Sequence, residues 1–320
     1  MSLLVTGAVG SLGRAILRAA LVQGVDRLVA YDQDEFGGFM LREAFGDPPA
    51  LRLIVGDVRD PEKLARAMHG VEQVIHCAAR KWVATSVYNT DELVSVNFDG
   101  TRAVLEAARQ AHVPQVLVVT SDKGVEPTNV YGASKFLAEQ YTTYANSWLV
   151  PVGTRAACVR YGNLLWSRGS VAHRWKVAHD QRKPIRLTAH GMTRFGIRLS
   201  VAADLAIWAV RHLRGGEVFV PALRAYSLED LARTIAPGTE FVVTGERGPG
   251  EKAHEVLLSE REAAQSVRLN WAGGPPLAIL EPRHTSWSRQ PWIGDACGPM
   301  VSSHAPPLED LALDEMDGER

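Results

Sequence analysis

The chain predicts an α/β fold, a doubly wound parallel sheet with a smaller interleaved C-terminal region. Three observations lead there. Short runs rich in Val, Leu and Ile alternate with segments of helical spacing through the first half. Those runs are apolar throughout rather than alternating, so both faces of each strand need cover. A glycine triplet separates the first run from the first helical segment.

With 320 residues there is ample material for one large α/β domain, or for a domain and a smaller appendage. In chain order, SLLVT, RLVAY, LRLIV, EQVIH and QVLVVT read as buried strands. Each precedes a helix-like stretch, such as SLGRAILRAALVQ or NFDGTRAVLEAARQA. A sixth run, AACVRY, follows the helical segment that carries Tyr131 and Lys135. After it the rhythm weakens. RHLRGGEVFVPA reads as a return to the sheet near residues 216–222, whereas YGNLLWSRGS and the segment from about Phe241 onward read as the smaller region. The expected organisation is a Rossmann-type domain over residues 1–160, with that return strand, and a mainly substrate-binding region over 161–320. The acidic tail EDLALDEMDGER reads as solvated surface.

Lys and Arg total 35 against 36 Asp and Glu. That balance gives no reason to expect nucleic acid or a membrane surface as partner, and a small molecule is expected instead. Cys77, Cys158 and Cys297 are widely spaced, without a CxxC pair or a metal-ligand rhythm, which suits buried thiols in a reducing compartment and no bound metal. The start lacks a basic segment before its apolar run, and no later run approaches membrane-spanning length. A soluble, cytoplasmic protein without membrane insertion is expected.

VTGAVGSLGRAI places Gly7, Gly10 and Gly13 between the first strand and the first helix. Gly7 suits the tight turn, Gly10 a close approach to a pyrophosphate, and Gly13 close packing of helix on strand, while Ser11 and Leu12 open a helix whose free N–H groups face the phosphates. Asp32 ends the second run about twenty residues beyond the glycines, where a carboxylate accepts from the adenosine ribose and repels a 2′-phosphate; NAD is favoured over NADP. Asp34 and Glu35 crowd the same turn, so a plain turn role for Asp32 is the competing reading. Asp57 and Val58, in GDVRD, and Ala78, after the fourth run, complete the expected cofactor contacts.

Tyr131 and Lys135 have the YxxxK spacing that puts two side chains on one helical face. A lysine beside a phenol favours the phenolate, so the tyrosine is expected to take a proton from a substrate hydroxyl. Together with the glycine loop this resembles the extended short-chain dehydrogenases/reductases. Ser121, Asp122 and Lys123 stand just before, at the end of an apolar run, so two ionisable groups fall beside the cofactor. That arrangement resembles the UDP-N-acetylglucosamine 4,6-dehydratases of the polysaccharide-biosynthesis family. EPTNVYGASK, RYGNLLWSRGSV, MTRF and GEKAHEVLLSE extend the resemblance to about Pro306.

The resemblance implies a nucleotide-sugar substrate and an enzyme that oxidises C4, eliminates water across C5 and C6, and returns the hydride to C6, with C5 inversion as in the soluble branch. It assigns Tyr131 to the C4 hydroxyl, Asp122 and Lys123 to the acid and base of elimination, and Ser121 to orienting the sugar. Which of Asp122 and Lys123 is acid and which base stays open, because the two titrate as a pair. Lys81, Asn163, Arg168, Arg194 and Glu251 are the implied substrate contacts, with the arginines suited to a diphosphate. Pairing of subunits through sheet-flanking helices is likewise implied, giving a homo-oligomer.

The chain departs from the pattern at Trp166, where a small residue is usual, at Gly196, where an aromatic is usual, at Trp82, where a His is usual, and in RGPGEK, where an extra glycine displaces Arg247. These changes bear on which sugar is bound. A 4-epimerase needs the cofactor and Tyr131 but no pair at C5 and C6, and a silent NAD-binding scaffold has no reason to keep Asp122, Lys123, Tyr131 and Lys135 together.

Overall fold

The six apolar runs are strands in the computed structural model, which describes residues 1–81, 88–245, 247–248, 250–282, 285–287 and 290–308. Trp82 and the acidic tail from 309 lie outside the described residues. Strands β1 (Ser2–Thr6), β2 (Arg27–Asp32), β3 (Leu51–Val55), β4 (Gln73–His76), β5 (Gln115–Ser121) and β6 (Arg155–Tyr161) pair in parallel in the order β3-β2-β1-β4-β5-β6. The order reverses beside β1, and the crevice at the carboxyl ends of the strands there is where such sheets bind ligands. All of β1 and β4 is buried, as continuous apolar strands require.

Helices α1 (Ser11–Val22), α2 (Glu35–Ala44), α3 (Pro61–Ala67), α4 (Thr90–Val94), α5 (Gly100–Gln110) and α6 (Val130–Leu149) connect these strands. Further along come α7 (Val171–Asp180), α8 (Leu199–His212), α9 (Leu228–Ile235) and the short α10 (Glu260–Ala263). α1 packs beside α8, while α5 lies between α3 and α6.

The remaining strands are β7 (Asn163–Leu164), β8 (Ile185–Leu187), β9 (Thr193–Ile197), β10 (Val218–Pro221), β11 (Arg224–Ser227), β12 (Phe241–Val243), β13 (Val256–Leu258), β14 (Ser266–Leu269), β15 (Leu277–Leu280), β16 (Asp295–Ala296) and β17 (Met300–Val301). β10 joins β6 in parallel, and β15, β14 and β16 follow as antiparallel neighbours on the same sheet. The second half therefore divides. Part of it widens the main sheet, and part forms a small lobe around a second apolar cluster that includes Leu165, Trp166, Trp175, Met192 and Tyr226. Short sheets β11-β9-β7 and β13-β17 lie in the C-terminal half.

A buried ion network ties the halves together. Arg160 on β6, 1% exposed, donates to Glu139 on α6, to Glu262 on α10 and to the Leu257 carbonyl. Glu262 also closes a capping box with Ser259, so the segment after β13 is clamped to the core.

Candidate active site

The glycine loop forms one wall of a cavity of about 470 Å³ at the switch point, lined among others by Gly7, Gly10, Asp32, Asp57, Val58, Ala78 and Arg168. Gly7 stands at φ 66°, and a Cβ there would lie 2.7 Å from the Ala78 backbone. A Cβ on Gly13 would lie 2.3 Å from the Gly7 carbonyl, so both glycines are dictated by close approach. No side chain caps α1, whose N-cap residue is Gly10. A helix N-terminus without a side-chain cap, directly after Gly10 of the cavity lining, suits a diphosphate.

The crowded turn after β2 sorts itself by role. Asp34 caps α2 by accepting from the Gly37 amide, and Glu35 is the first residue of that helix. Asp32 lines the cavity, its carboxylate held by the Val9 amide at 2.9 Å and the Asp34 amide at 3.1 Å. Asp57 is bound by Arg59, which keeps its carboxyl below the usual range, while the Asp57 carbonyl accepts from Tyr31.

Ser121, Asp122 and Lys123 form the turn where β5 ends. The Ser121 hydroxyl donates to Asp122 Oδ1 at 2.9 Å and accepts from the Lys123 amide. Lys123 Nζ donates to Asp122 Oδ1 and to Asn163 Oδ1, both at 3.0 Å, with Glu255 Oε1 at 3.7 Å. Asn163 in turn donates to the Tyr226 hydroxyl at 3.1 Å. Asp122 is fully buried, whereas the Lys123 side chain is 27% exposed, so the lysine is the outward member of the pair. Burial alone would lower the Lys123 pKa, but the carboxylates of Asp122 and Glu255 outweigh it and hold the group above the usual ammonium range. At rest it is a cation.

The next helix is brought against this turn by two residues of NVYGASK. Asn129 caps α6, and Gly132 permits contact, since a Cβ there would stand 2.3 Å from the Lys123 carbonyl. Tyr131 thereby comes beside Lys123 and Ser121. Burial pushes its phenol up, with the Lys123 cation and the Ser121 hydrogen bond pulling the other way. Lys135 is one turn deeper and donates to the Val119 carbonyl of β5 at 3.1 Å, near Cys77 and Cys158; burial lowers it to about 8. Lys123 is thus a second cation beside Tyr131, one to which the YxxxK spacing does not point, while Lys135 donates to a carbonyl of β5.

The expected substrate residues fall in two places. Lys81 Nζ donates to the Arg168 carbonyl at 2.8 Å, and the Arg168 amide donates to Ser11 Oγ at 2.8 Å, so Lys81 and Arg168 stand together at the mouth of the glycine-loop cavity. Arg194 lies elsewhere, 5% exposed, donating to the Thr193 and Ala253 carbonyls and to Glu251 Oε1 at 3.0 Å, with Nε 3.8 Å from Glu255. Arg194 and Glu251 pair with each other, and Arg194 reaches the Lys123 cluster through Glu255. Two members of that cluster were not anticipated. Glu255 lies in the same GEKAHE stretch as Glu251, a signal that was available; Tyr226 carried none, because its place follows from the pairing of β11 with β9 opposite Arg194.

The departures have structural counterparts. Trp166 is 5% exposed and sits at φ 59°, a left-handed conformation uncommon for a bulky residue. A Cβ on Gly196 would lie 2.9 Å from Leu308 and 3.1 Å from the Tyr226 ring, so those two side chains fill the space a larger residue would need. Arg247 is exposed. Among the described residues no helix is long and apolar enough to cross a membrane.

A profile of the polysaccharide biosynthesis protein family matches residues 3–271. The UDP-N-acetylglucosamine 4,6-dehydratase (inverting) of Campylobacter jejuni is 33% identical over 264 residues, 82% of this chain and 78% of that protein. The UDP-glucose 4-epimerase of Rickettsia massiliae is 34% identical over 273 residues, 83% of this chain and 80% of the other. Among solved structures, Pen from Bacillus thuringiensis superposes with a TM-score of 0.87 at 28% identity, covering 96% of this chain and 94% of that one.

Proposed function

We propose that this chain, which belongs to the polysaccharide biosynthesis protein family, is a nucleotide-sugar 4,6-dehydratase acting on UDP-N-acetylglucosamine or a close relative with NAD as cofactor. The observation that carries the reading is the buried Asp122 hydrogen-bonded to the outward Lys123 beside Tyr131. Chemistry at C4 alone does not need it.

The glycine cradle, the α1 N-terminus and Asp32 fit a dinucleotide, and Arg168 and Lys81 flank its diphosphate side. When bound, NAD supplies reversible hydride acceptance, from C4 first and to C6 last. Tyr131 takes the proton of the 4-hydroxyl. For this its own proton must leave, and Lys123 and Ser121 are the neighbours that favour the phenolate. The ketone at C4 makes the C5 hydrogen acidic. Of the hydrogen-bonded pair Asp122 and Lys123, 3.0 Å apart, one takes the proton from C5 and the other gives one to the departing 6-hydroxyl, which leaves as water. Hydride return to C6 is matched by a proton returned to C5, so over the whole cycle two protons leave the sugar, from the 4-hydroxyl and from C5, and two come back, to the departing hydroxyl and to C5.

The test is incubation with UDP-N-acetylglucosamine and a panel of other nucleotide sugars in deuterated water. The expected product has lost the C6 oxygen and carries solvent deuterium at C5. Lys123→Ala is expected to stop water loss with NAD affinity unchanged; normal turnover in that variant removes Lys123 from the mechanism. The 4-epimerase reading is favoured by the Rickettsia relative, and it predicts a product that retains its 6-hydroxyl.

A further inference from the structure

Lys123 is surrounded by acceptors from three remote parts of the chain. Asp122 belongs to its own turn, Asn163 to β7, and Glu255 to the segment before β13. Glu255 has no place in the reaction scheme above. Its side chain is 4% exposed, and its Oε2 is buried without a hydrogen-bond partner while Oε1 faces both Lys123 Nζ and Arg194 Nε. Leaving a carboxylate oxygen buried and unpaired is costly, so the group is held where it is by other forces. Those forces are visible. The Glu255 amide donates to Ser302 Oγ at 2.8 Å, the Ser302 amide donates to the Glu255 carbonyl at 2.9 Å, and Ser302 Oγ bonds the Thr193 hydroxyl. Behind them the Arg160–Glu262 pair clamps the end of β13.

We propose that Glu255 is a positioning residue of the active centre, a second buried counter-ion that holds the Lys123 ammonium in place and sets its affinity for a proton. The proposal rests on the dehydratase reading for its consequence in turnover, but not for the contact itself. Lys123 faces Asp122, Glu255 and Tyr131, which favour its charge, and Arg194, which opposes it; Tyr226 meets it through Asn163. Neutralising Glu255 removes one of two anions and leaves Arg194 in place, so the lysine must hold its proton less tightly.

The experiment is Glu255→Gln, which keeps the shape and removes the charge. Lysines are reductively methylated with a ¹³C label, the Lys123 resonance is assigned by its loss in Lys123→Arg, and the signal is titrated in both proteins with NAD present. The Lys123 titration midpoint is expected to fall by at least about one pH unit, a tenfold change in proton affinity. In parallel, kcat for water loss should fall about tenfold or more with KM within about twofold, because the sugar-facing groups are untouched. An unchanged midpoint overturns the proposal, whatever happens to turnover. If the wild type eliminates water from no nucleotide sugar while the midpoint still shifts, the reaction assignment falls and the Glu255–Lys123 coupling stands. Ser302→Ala serves if Glu255→Gln does not fold. Loosening the anchor should move the midpoint the same way by less, and no movement there is equally fatal.

Discussion

Trp166→Gly asks how much backbone strain the turn beside the mouth of the glycine-loop cavity carries. At φ 59° the Trp166 Cβ crowds its own carbonyl, and removing it recovers about 1–2 kcal/mol. The same change deletes an indole that is 5% exposed and packed in the cluster of Leu165, Trp175, Met192 and Tyr226. Losing a buried Trp costs about 3–5 kcal/mol. The packing loss outweighs the strain, and the variant is expected to be less stable by about 2–3 kcal/mol, read as a lower urea midpoint with an unchanged m-value. Function should follow, because Ser167 and Arg168 come next, and through them Lys81 and Ser11 are held. KM for the nucleotide sugar should therefore rise. A variant as stable as the wild type would refute the reasoning, since it would mean that the strained backbone stores as much energy as the indole contributes.

Glu139→Ala removes one carboxylate from the buried Arg160 network and leaves the guanidinium short of a partner at 1% exposure; a loss of about 3–5 kcal/mol is expected in denaturant titration, and a loss under 1 kcal/mol would mean that Glu262 alone neutralises Arg160. His76 is buried between Thr6 and Thr101 and is pushed down by burial to about 3, so the folded chain holds it neutral while the unfolded chain takes a proton near pH 6.5. Stability is accordingly full above the unfolded value and falls as the pH drops from about 6.5 towards 3, by about 2 kcal/mol at pH 5 from this group alone. His76→Gln should flatten that limb of the stability profile, and an identical slope in the variant would assign the loss to other groups.

Much of this molecule is legible in local pattern, for a physical reason. A strand buried on both faces is apolar nearly throughout, so β1, β2, β4, β5 and β6 announce themselves in order, and with them the parallel sheet and its switch point; β3, read as buried from LRLIV, is the sheet edge, with Leu51 its one buried residue and Arg52 and Val55 exposed. Gly7 and Gly13 are readable because they follow an apolar strand at dinucleotide-loop spacing, and Ser121, Asp122, Lys123 and Tyr131 because they lie close in sequence around one strand end, whereas the close approach at Gly132 shows only in the fold. What resisted reading depends on contacts between remote segments. β14 at the widened sheet has one buried residue, Ser266, and an exposed Arg268, so SVRL carries no strong sign of joining the main sheet.

Lys135 has the spacing to share a helical face with Tyr131, but the strand carbonyl to which it donates is a tertiary neighbour that the spacing does not show. Arg194 and Glu251 read as substrate contacts one by one, and that they pair with each other is shown only by the fold. Glu255 and Tyr226 reach Lys123 only because β13, β11 and β9 fold back over the β5 turn, and a charge brought in from so far along the chain leaves no trace in the residues beside the lysine. Sequence determines the groups that chemistry can use; the fold decides which of them share a proton, because electrostatic coupling runs through space and falls off within a few ångströms of screened or buried distance.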